Sequence, residues 1–142
     1  MKRNNRRTAQ QGFTLLELLV VIVIIGMLAA IAAPQALKFL GGAKVDTARI
    51  QINNLETVLD LYRLQIGAYP NSNEGLLALI ERPASVGNWN GPYVKKRESL
   101  VDPWGSPYQY RSPGQRGEFD LYSLGADRTE GGDGEGRDIY NH

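Results

Sequence analysis

The chain contains no cysteine, and its single histidine, His142, is the last of its 142 residues. Without cysteine the fold has no disulfide, no thiolate zinc site and no thiol nucleophile. A histidine-based catalytic triad or metal cluster would require the free C-terminus to be held in place. We therefore expect that this chain is not an enzyme.

Beyond residue 12 the chain also has no excess of basic residues. Four of the sixteen basic residues, Lys2, Arg3, Arg6 and Arg7, lie in the first twelve positions, which hold no acid, so the remainder carries twelve bases and fifteen acids. A protein that binds nucleic acid needs a basic surface to neutralise phosphates. The composition therefore predicts that nucleic acid is not a partner.

A long run without charge follows this basic leader. Residues 18–33 are sixteen uncharged, mostly apolar positions, and a helix over residues 13–34 would be about 33 Å long, against a bilayer core of ~30 Å. The basic leader should keep the N-terminus in the cytoplasm, which places the chain after Pro34 on the far side of the membrane. The length of the chain then leaves room for one modest globular domain.

One carboxylate, Glu17, interrupts the apolar segment, and the sequence GFTLLE at residues 12–17 marks the border between leader and helix. One alternative is an ordinary secretory signal with its cleavage site in residues 30–32, but the apolar run is longer than such signals need and carries an acid. Another is a plain membrane anchor in which Glu17 reaches toward the interface. An acid inside a membrane helix is by default a functional residue.

A second helical pattern continues beyond Pro34. Apolar residues recur at spacings of three and four, which predicts an amphipathic helix to about residue 66 whose apolar stripe packs on a domain; they are Val45, Ala48, Ile52, Leu55, Leu59, Tyr62 and Ile66. Pro34 removes one backbone hydrogen bond, so we expect a kink or local melting there, with Gly26, Gly41 and Gly42 adding freedom.

The remaining segments predict a small antiparallel sheet. A short helix over residues 75–80 should end before Pro83, and the apolar pair Tyr93–Val94 precedes two alternating segments, residues 108–111 and 119–123, which form a hairpin. We expect three or four strands with their apolar side against the helix. The predicted fold class is α+β, with a long N-terminal helix packed on a small antiparallel sheet.

An acidic, glycine-rich segment closes the chain. Residues 124–138 contain five glycines and the acids Asp127, Glu130, Asp133, Glu135 and Asp138. Hard divalent cations prefer oxygen ligands, and glycines allow a short loop to wrap around them, but the spacing is not that of an EF-hand. Composition alone favours a solvated tail over a cation site.

The GFTLLE junction after a basic leader resembles the class III signal of type IV pilins and pseudopilins. This resemblance implies that a prepilin peptidase cleaves between Gly12 and Phe13 and that the new amine of Phe13 is methylated. It further implies that Phe13 of an incoming subunit pairs with Glu17 of its neighbour in a filament, because an unpaired charge among packed helices is costly. The expected domains are a cleaved leader, residues 1–12, a membrane and assembly helix, residues 13–34, and a periplasmic domain, residues 35–142.

The C-terminal half resembles the major pseudopilins of type II secretion systems, through DPWG at residues 102–105, SPG at 112–114 and SLGAD at 123–127. The resemblance implies a subunit of a periplasmic pseudopilus that drives protein export across the outer membrane, anchored by one span in the bacterial inner membrane. The implied partners are further copies of the chain, minor pseudopilins, the prepilin peptidase and the inner-membrane assembly platform. The alternatives are a type IV pilin or minor pilin, and a secreted calcium- or carbohydrate-binding module that uses Trp89 and Trp104.

The same resemblance implies a structural calcium ion in the acidic loop. Asp127 and Asp138 match carboxylates of the family pattern, and the carbonyl groups of Leu124 and Thr129 would add oxygen ligands. The family often carries another acid next to the last one, where this chain has Gly136-Arg137. Asp133, or Glu135 as the alternate, would have to supply the missing carboxylate.

Overall fold

The computed structural model describes residues 12–141. These residues form two compact units, one that ends at Lys38 and one that begins at Phe39. The basic positions of the leader up to residue 11, and His142, lie outside the described residues.

One helix, α1 (Leu15–Ile66), accounts for 52 residues and belongs to both units. Every described residue from 12 to 40 is exposed, although most are apolar. An 18-residue window of α1 is long and apolar enough to cross a membrane, by length and composition. The apolar surface at residues 12–40 therefore needs a cover that the described residues do not provide.

The second part of α1 packs through the predicted stripe. Its positions 48, 52, 55, 59 and 62 are buried, and Val45 and Ile66 are partly buried against the same core. Four residues from the sheet region complete the contact: Tyr108, Phe119, Leu121 and Ile139. The prediction of one apolar stripe that covers a sheet is confirmed.

Between α1 and the sheet, the chain forms two short 3₁₀ helices, Gly75–Leu79 and Arg97–Leu100. Gly67 ends α1 with a φ of 95°, the left-handed conformation that glycine adopts most easily, and its N–H donates to the carbonyl of Arg63. Asn71 and Glu74 hold the first 3₁₀ helix by reciprocal bonds, since the Asn71 side chain accepts from the Glu74 N–H and the Glu74 carboxylate accepts from the Asn71 N–H.

The sheet has three antiparallel strands in the order β1 (Gln109–Arg111), β2 (Asp120–Ser123) and β3 (Ile139–Tyr140). Tyr110 lies opposite Leu121, and Tyr122 lies opposite Tyr140. The hairpin and the number of strands agree with the prediction. Tyr93 and Val94, the apolar pair ahead of the hairpin, donate their N–H groups to the carbonyl of Leu79 and form a bend. The third strand instead follows the acidic loop.

The two tryptophans lie partly buried against the hydrophobic core. The indole N–H of Trp89 donates to the carbonyl of Ala78 at 2.9 Å, which anchors the loop after the first 3₁₀ helix. Such anchored rings fix loops and offer little free face for stacking a sugar.

Candidate functional site

The N-terminal junction begins the described chain. Gly12 and Phe13 are exposed and precede α1, and Phe13 is 81% exposed. The residue pair is therefore open to an enzyme in this structure. Cleavage and methylation at this junction stay predictions.

Thr14 forms the N-cap of α1. Its hydroxyl oxygen accepts a hydrogen bond from the Glu17 N–H at 3.2 Å, and its carbonyl accepts from the Leu18 N–H. The pattern Thr-x-x-Glu is typical of a capping box, so the sequence carried a signal for this cap that our sequence analysis missed. Glu17 is thus the third residue of the helix as well as the predicted assembly residue, and its backbone and its carboxylate can have separate roles.

Pro34 lies within α1, which continues through Gly41 and Gly42 without a break. The local melting that we expected is therefore absent from this part of the described chain. A kink at Pro34 stays a prediction.

The acidic loop connects β2 to β3 and is tied together by its own backbone. The N–H of Ala126 donates to the carbonyl of Glu135 at 2.8 Å, and the N–H of Asp138 donates to the carbonyl of Gly131 at 3.2 Å. Gly125 has a φ of 68°, and a side chain there would meet the backbone of residues 135–137. The end of the loop therefore returns directly onto its start.

Two of the predicted ligands face into this loop. Asp138 accepts the Gly131 N–H through Oδ2 at 3.0 Å, while its Oδ1 is buried without a hydrogen-bond partner. Asp127 accepts the Thr129 N–H through Oδ1 at 3.1 Å. A methyl group placed on Gly132 or on Gly136 would lie 2.7 Å from the other carboxylate oxygen, Oδ2. The buried oxygen of Asp138 without a partner fits a bound cation, and the exposed carboxylate of Asp127 lies beside two glycines of the same loop.

The other predicted ligands are not gathered around these two. Within residues 12–141, no three side chains of Asp, Glu, His or Cys lie close enough together to hold a metal ion. Asp133 and Thr129 are exposed, Leu124 is partly buried, and the carboxylate of Glu135 lies against Gly41 of α1. Which of Asp133 and Glu135 would complete the ligand set stays a prediction.

A buried polar group that our sequence analysis did not single out holds the start of the loop. Asp102 is 5% exposed. Its Oδ1 accepts hydrogen bonds from the N–H groups of Trp104 at 3.0 Å and Ser106 at 2.8 Å. Its Oδ2 accepts a hydrogen bond from the Ser123 hydroxyl at 2.6 Å. The Ser123 oxygen in turn accepts the Gly125 N–H at 3.1 Å. The DPWG turn therefore fixes the residues on either side of Leu124.

Comparison with known families gives two matches, one in the N-terminal part of the chain and one in the rest. The family described as "Type II secretion system (T2SS), protein G" matches residues 35–142, and the "Prokaryotic N-terminal methylation motif" matches residues 7–33. The first match favours the pseudopilin over a type IV pilin.

Similar proteins and a solved structure agree with this assignment. Proteins named "Type II secretion system core protein G" are 48% identical in Pseudomonas aeruginosa, over 96% of this chain and 97% of that protein, and 43% identical in Vibrio cholerae, over 99% and 95%. The crystal structure of the major pseudopilin from the type 2 secretion system of enterohaemorrhagic Escherichia coli is 32% identical, with a TM-score of 0.61 over 70% of this chain and 87% of that chain. This chain therefore belongs to the type II secretion system protein G family, the family of major pseudopilins.

Proposed function

We propose that this chain is the repeating subunit of a periplasmic pseudopilus, which it forms by polymerising with further copies of itself to drive protein export across the outer membrane. The observation that carries the proposal is the exposed apolar surface of residues 12–40 on a chain that belongs to the protein G family. Lipid covers such a surface before assembly, and the helices of other subunits cover it afterwards.

The proposed route begins in the inner membrane. The basic leader holds the N-terminus in the cytoplasm and the globular unit enters the periplasm. A prepilin peptidase then cleaves after Gly12, where the absence of a side chain gives access to the backbone, and the amine of Phe13 is methylated. The exposure of Gly12 and Phe13 supports access of a peptidase to the bond between them.

Glu17 then selects the position of an incoming subunit. Cleavage creates a positively charged amine on Phe13, and an amine and a carboxylate that enter an apolar helix bundle are far more stable paired than apart. Within residues 12–141, the cap of α1 uses the Glu17 backbone N–H and the Thr14 hydroxyl, so the Glu17 carboxylate remains available for this role.

The chain acts by assembly and catalyses no reaction. Its proposed contacts are with further copies, with minor pseudopilins and with the inner-membrane assembly platform. The twelve bases and fifteen acids beyond residue 12 give nucleic acid no basic surface to bind.

A calcium ion is proposed to stabilise the acidic loop. Asp127 and Asp138 would supply carboxylate oxygens, and Asp133 and the carbonyl groups of Leu124 and Thr129 would supply the rest. The buried, unpartnered Oδ1 of Asp138 supports a cation there. The ion would tie β3 to the end of β2 in a domain without disulfides, and its role is structural.

The assembly proposal is tested by Glu17→Gln, which removes the charge and keeps the backbone cap. In cells that contain the secretion system, we expect the variant to be inserted and cleaved like the wild type but to form few filaments and to support little secretion. Thr14→Ala is the matched control, because it removes the cap and keeps the charge, so it should assemble. Normal filaments from Glu17→Gln would contradict the charge-pairing step, and normal secretion in a strain that lacks the chain would contradict the proposed function.

The calcium proposal is tested by thermal unfolding of the full-length protein in detergent. A chelator should lower the Tm of the wild type and should leave the Tm of Asp138→Asn unchanged. Asp46→Asn, which removes an exposed acid of α1 far from the loop in sequence, is the control and should respond like the wild type. A wild-type Tm that does not respond to chelator or to added calcium would contradict the site.

A further inference from the structure

The loop that contains Trp89 also holds the one asparagine of the chain that is followed by glycine, Asn90-Gly91. Asn90 is exposed, and its backbone N–H donates to the Tyr93 hydroxyl at 3.4 Å. Within residues 12–141, neither the Asn90 side chain nor the Gly91 N–H makes a hydrogen bond. The side-chain amide and the backbone nitrogen that follows it are therefore both available to react with each other.

The packing of Trp89 favours glycine at position 91. A Cβ placed on Gly91 would lie 2.4 Å from the Trp89 ring. That ring is held, because its indole N–H donates to the carbonyl of Ala78 at 2.9 Å and its edge meets the ring of Tyr93 at a centroid distance of 5.8 Å. Glycine also leaves its own nitrogen unshielded and its backbone free to turn toward the preceding side chain. The residue that suits the packing thus also makes Asn90 open to attack.

Asn88 lies two residues earlier in the same loop and differs in the residue that follows it. Asn88 is exposed as well, and within residues 12–141 its side chain and the Trp89 N–H make no hydrogen bond. The nitrogen next to Asn88 belongs to Trp89, however, and carries a large side chain beside it. Asn88 is therefore an internal reference in the same solvent and the same loop.

We propose that Asn90 is a site of spontaneous modification, at which the chain converts its own side-chain amide to a carboxylic acid. The backbone nitrogen of Gly91 loses its proton and bonds to the side-chain carbonyl carbon of Asn90, which closes a five-membered ring and releases the amide nitrogen as ammonia. Water then opens the ring. Opening at the side-chain carbonyl gives aspartate, and opening at the main-chain carbonyl gives isoaspartate. The net reaction consumes one water, releases one ammonia and needs no oxidant.

Isoaspartate at position 90 should loosen the loop, because the loop is fixed on both sides of it. On one side Trp89 donates to the carbonyl of Ala78. On the other side the Tyr93 N–H donates to the carbonyl of Leu79 at 2.8 Å, and the Tyr93 hydroxyl donates to the Gln65 side chain at 2.8 Å. Isoaspartate adds one carbon to the main chain between these anchors, so we expect an anchor to be lost. Aspartate keeps the length of the main chain.

The site is tested by incubating the full-length protein in detergent at mildly alkaline pH and following it by mass spectrometry. Fragment spectra of peptides that cover residues 87–93 assign the change from amide to acid to Asn88 or to Asn90. We expect Asn90 to convert on the order of tenfold faster than Asn88, which corresponds to an activation barrier lower by about 1.4 kcal/mol. Both aspartate and isoaspartate should form at position 90, and the rate should rise with pH because the attacking nitrogen must lose its proton.

Asn90→Gln is the matched control, because its longer side chain disfavours the five-membered ring, and position 90 should then stay unmodified. A parallel sample in urea gives the rate in the unfolded chain. Equal rates at Asn88 and Asn90 in the folded protein would overturn the proposal, and so would an Asn90 that reacts only after unfolding. Aspartate formed without isoaspartate would indicate direct hydrolysis and contradict the ring.

The loosening of the loop is tested by hydrogen–deuterium exchange of the separated isoaspartate form. Peptides that cover residues 78–93 should take up more deuterium in this form than in the unmodified protein, whereas Asn90→Asp should exchange like the unmodified protein. Unchanged exchange in the isoaspartate form would overturn the loosening. An equal gain in Asn90→Asp would assign the effect to the new charge and contradict the role of the longer main chain.

Discussion

Replacing Asp102 with asparagine should destabilise the globular unit through a single lost hydrogen bond. Asparagine keeps an oxygen that can accept the N–H groups of Trp104 and Ser106, but its amide group cannot accept the Ser123 hydroxyl, which now donates to Asp102 at 2.6 Å. A hydrogen bond to a charged group contributes about 1.5–3 kcal/mol, and both partners here are at most 5% exposed. We therefore expect Asp102→Asn to lower the free energy of unfolding by about 2 kcal/mol.

The assay is urea unfolding of the full-length protein in detergent, followed by tryptophan fluorescence, because both tryptophans lie in the globular unit. The midpoint should fall and the slope of the free energy against urea should stay constant, since the surface exposed on unfolding is unchanged. Glu98→Gln removes the charge of an exposed acid and is the control, expected within about 0.5 kcal/mol of the wild type.

The expected loss of stability belongs to the hydrogen-bonded pair of Asp102 and Ser123, and not to the charge of Asp102 alone. Ser123→Ala removes the same hydrogen bond from the other side and also leaves the Gly125 N–H without its acceptor. The double variant Asp102→Asn with Ser123→Ala should cost less than the sum of the two single variants. A loss below about 0.5 kcal/mol in Asp102→Asn, or strict additivity, would refute the buried network as a source of stability.

Two further predictions concern the core. In the same urea assay, Leu59→Ala should lower the free energy of unfolding by about 2–5 kcal/mol, because Leu59 is fully buried. Leu61 is 45% exposed, so Leu61→Ala should lower it by less than about 1 kcal/mol. Equal losses in the two variants would contradict the assigned buried face of α1. Burial raises the pKa of Tyr110 from 10.0 to about 12, so the tyrosine loses its proton at lower pH in the unfolded chain than in the folded one. The free energy of unfolding should therefore fall as the pH rises from about 10 to 12. The slope should be less than about 1.4 kcal/mol per pH unit, because the ring keeps some solvent contact. Tyr110→Phe should flatten this alkaline slope, and an unchanged slope would exclude Tyr110 as its source.

Periodicity in the sequence predicted the elements that bury a continuous face. The stripe on α1 from Ala48 to Tyr62 repeats at helical spacing and is buried as the pattern predicts. The burial of the hairpin strands does not alternate strictly, since three of the four residues of β2 are buried. The third strand, Ile139–Tyr140, is only two residues long and has no pattern of its own. This strand forms because the acidic loop brings residues 139 and 140 back beside β2. Such tertiary pairing cannot be predicted from the local sequence pattern.

The contacts of the candidate site were harder to predict for the same reason. The acids of the loop are visible in the sequence, but that Glu135 lies on Gly41 while Asp138 faces inward depends on how the loop returns to the sheet and the helix. Asp102 appeared only as part of a turn motif, and its bonds from the Trp104 and Ser106 N–H groups are local to that turn. Its third bond, from the Ser123 hydroxyl on β2, depends on the tertiary fold. The Thr14 cap is different, since its pattern is local and could have been recognised from the sequence.

The central claim is that this chain is cleaved at Gly12 and polymerised. The most direct measurement is mass spectrometry of the subunit recovered from filaments that are sheared from cells overproducing the chain together with the secretion system. We predict that the filament fraction contains the chain from Phe13 onward with a methylated N-terminal amine. A chain that is absent from this fraction and is found in the membrane with its leader intact, or in the periplasm with Ala33 as its first residue, would contradict the account.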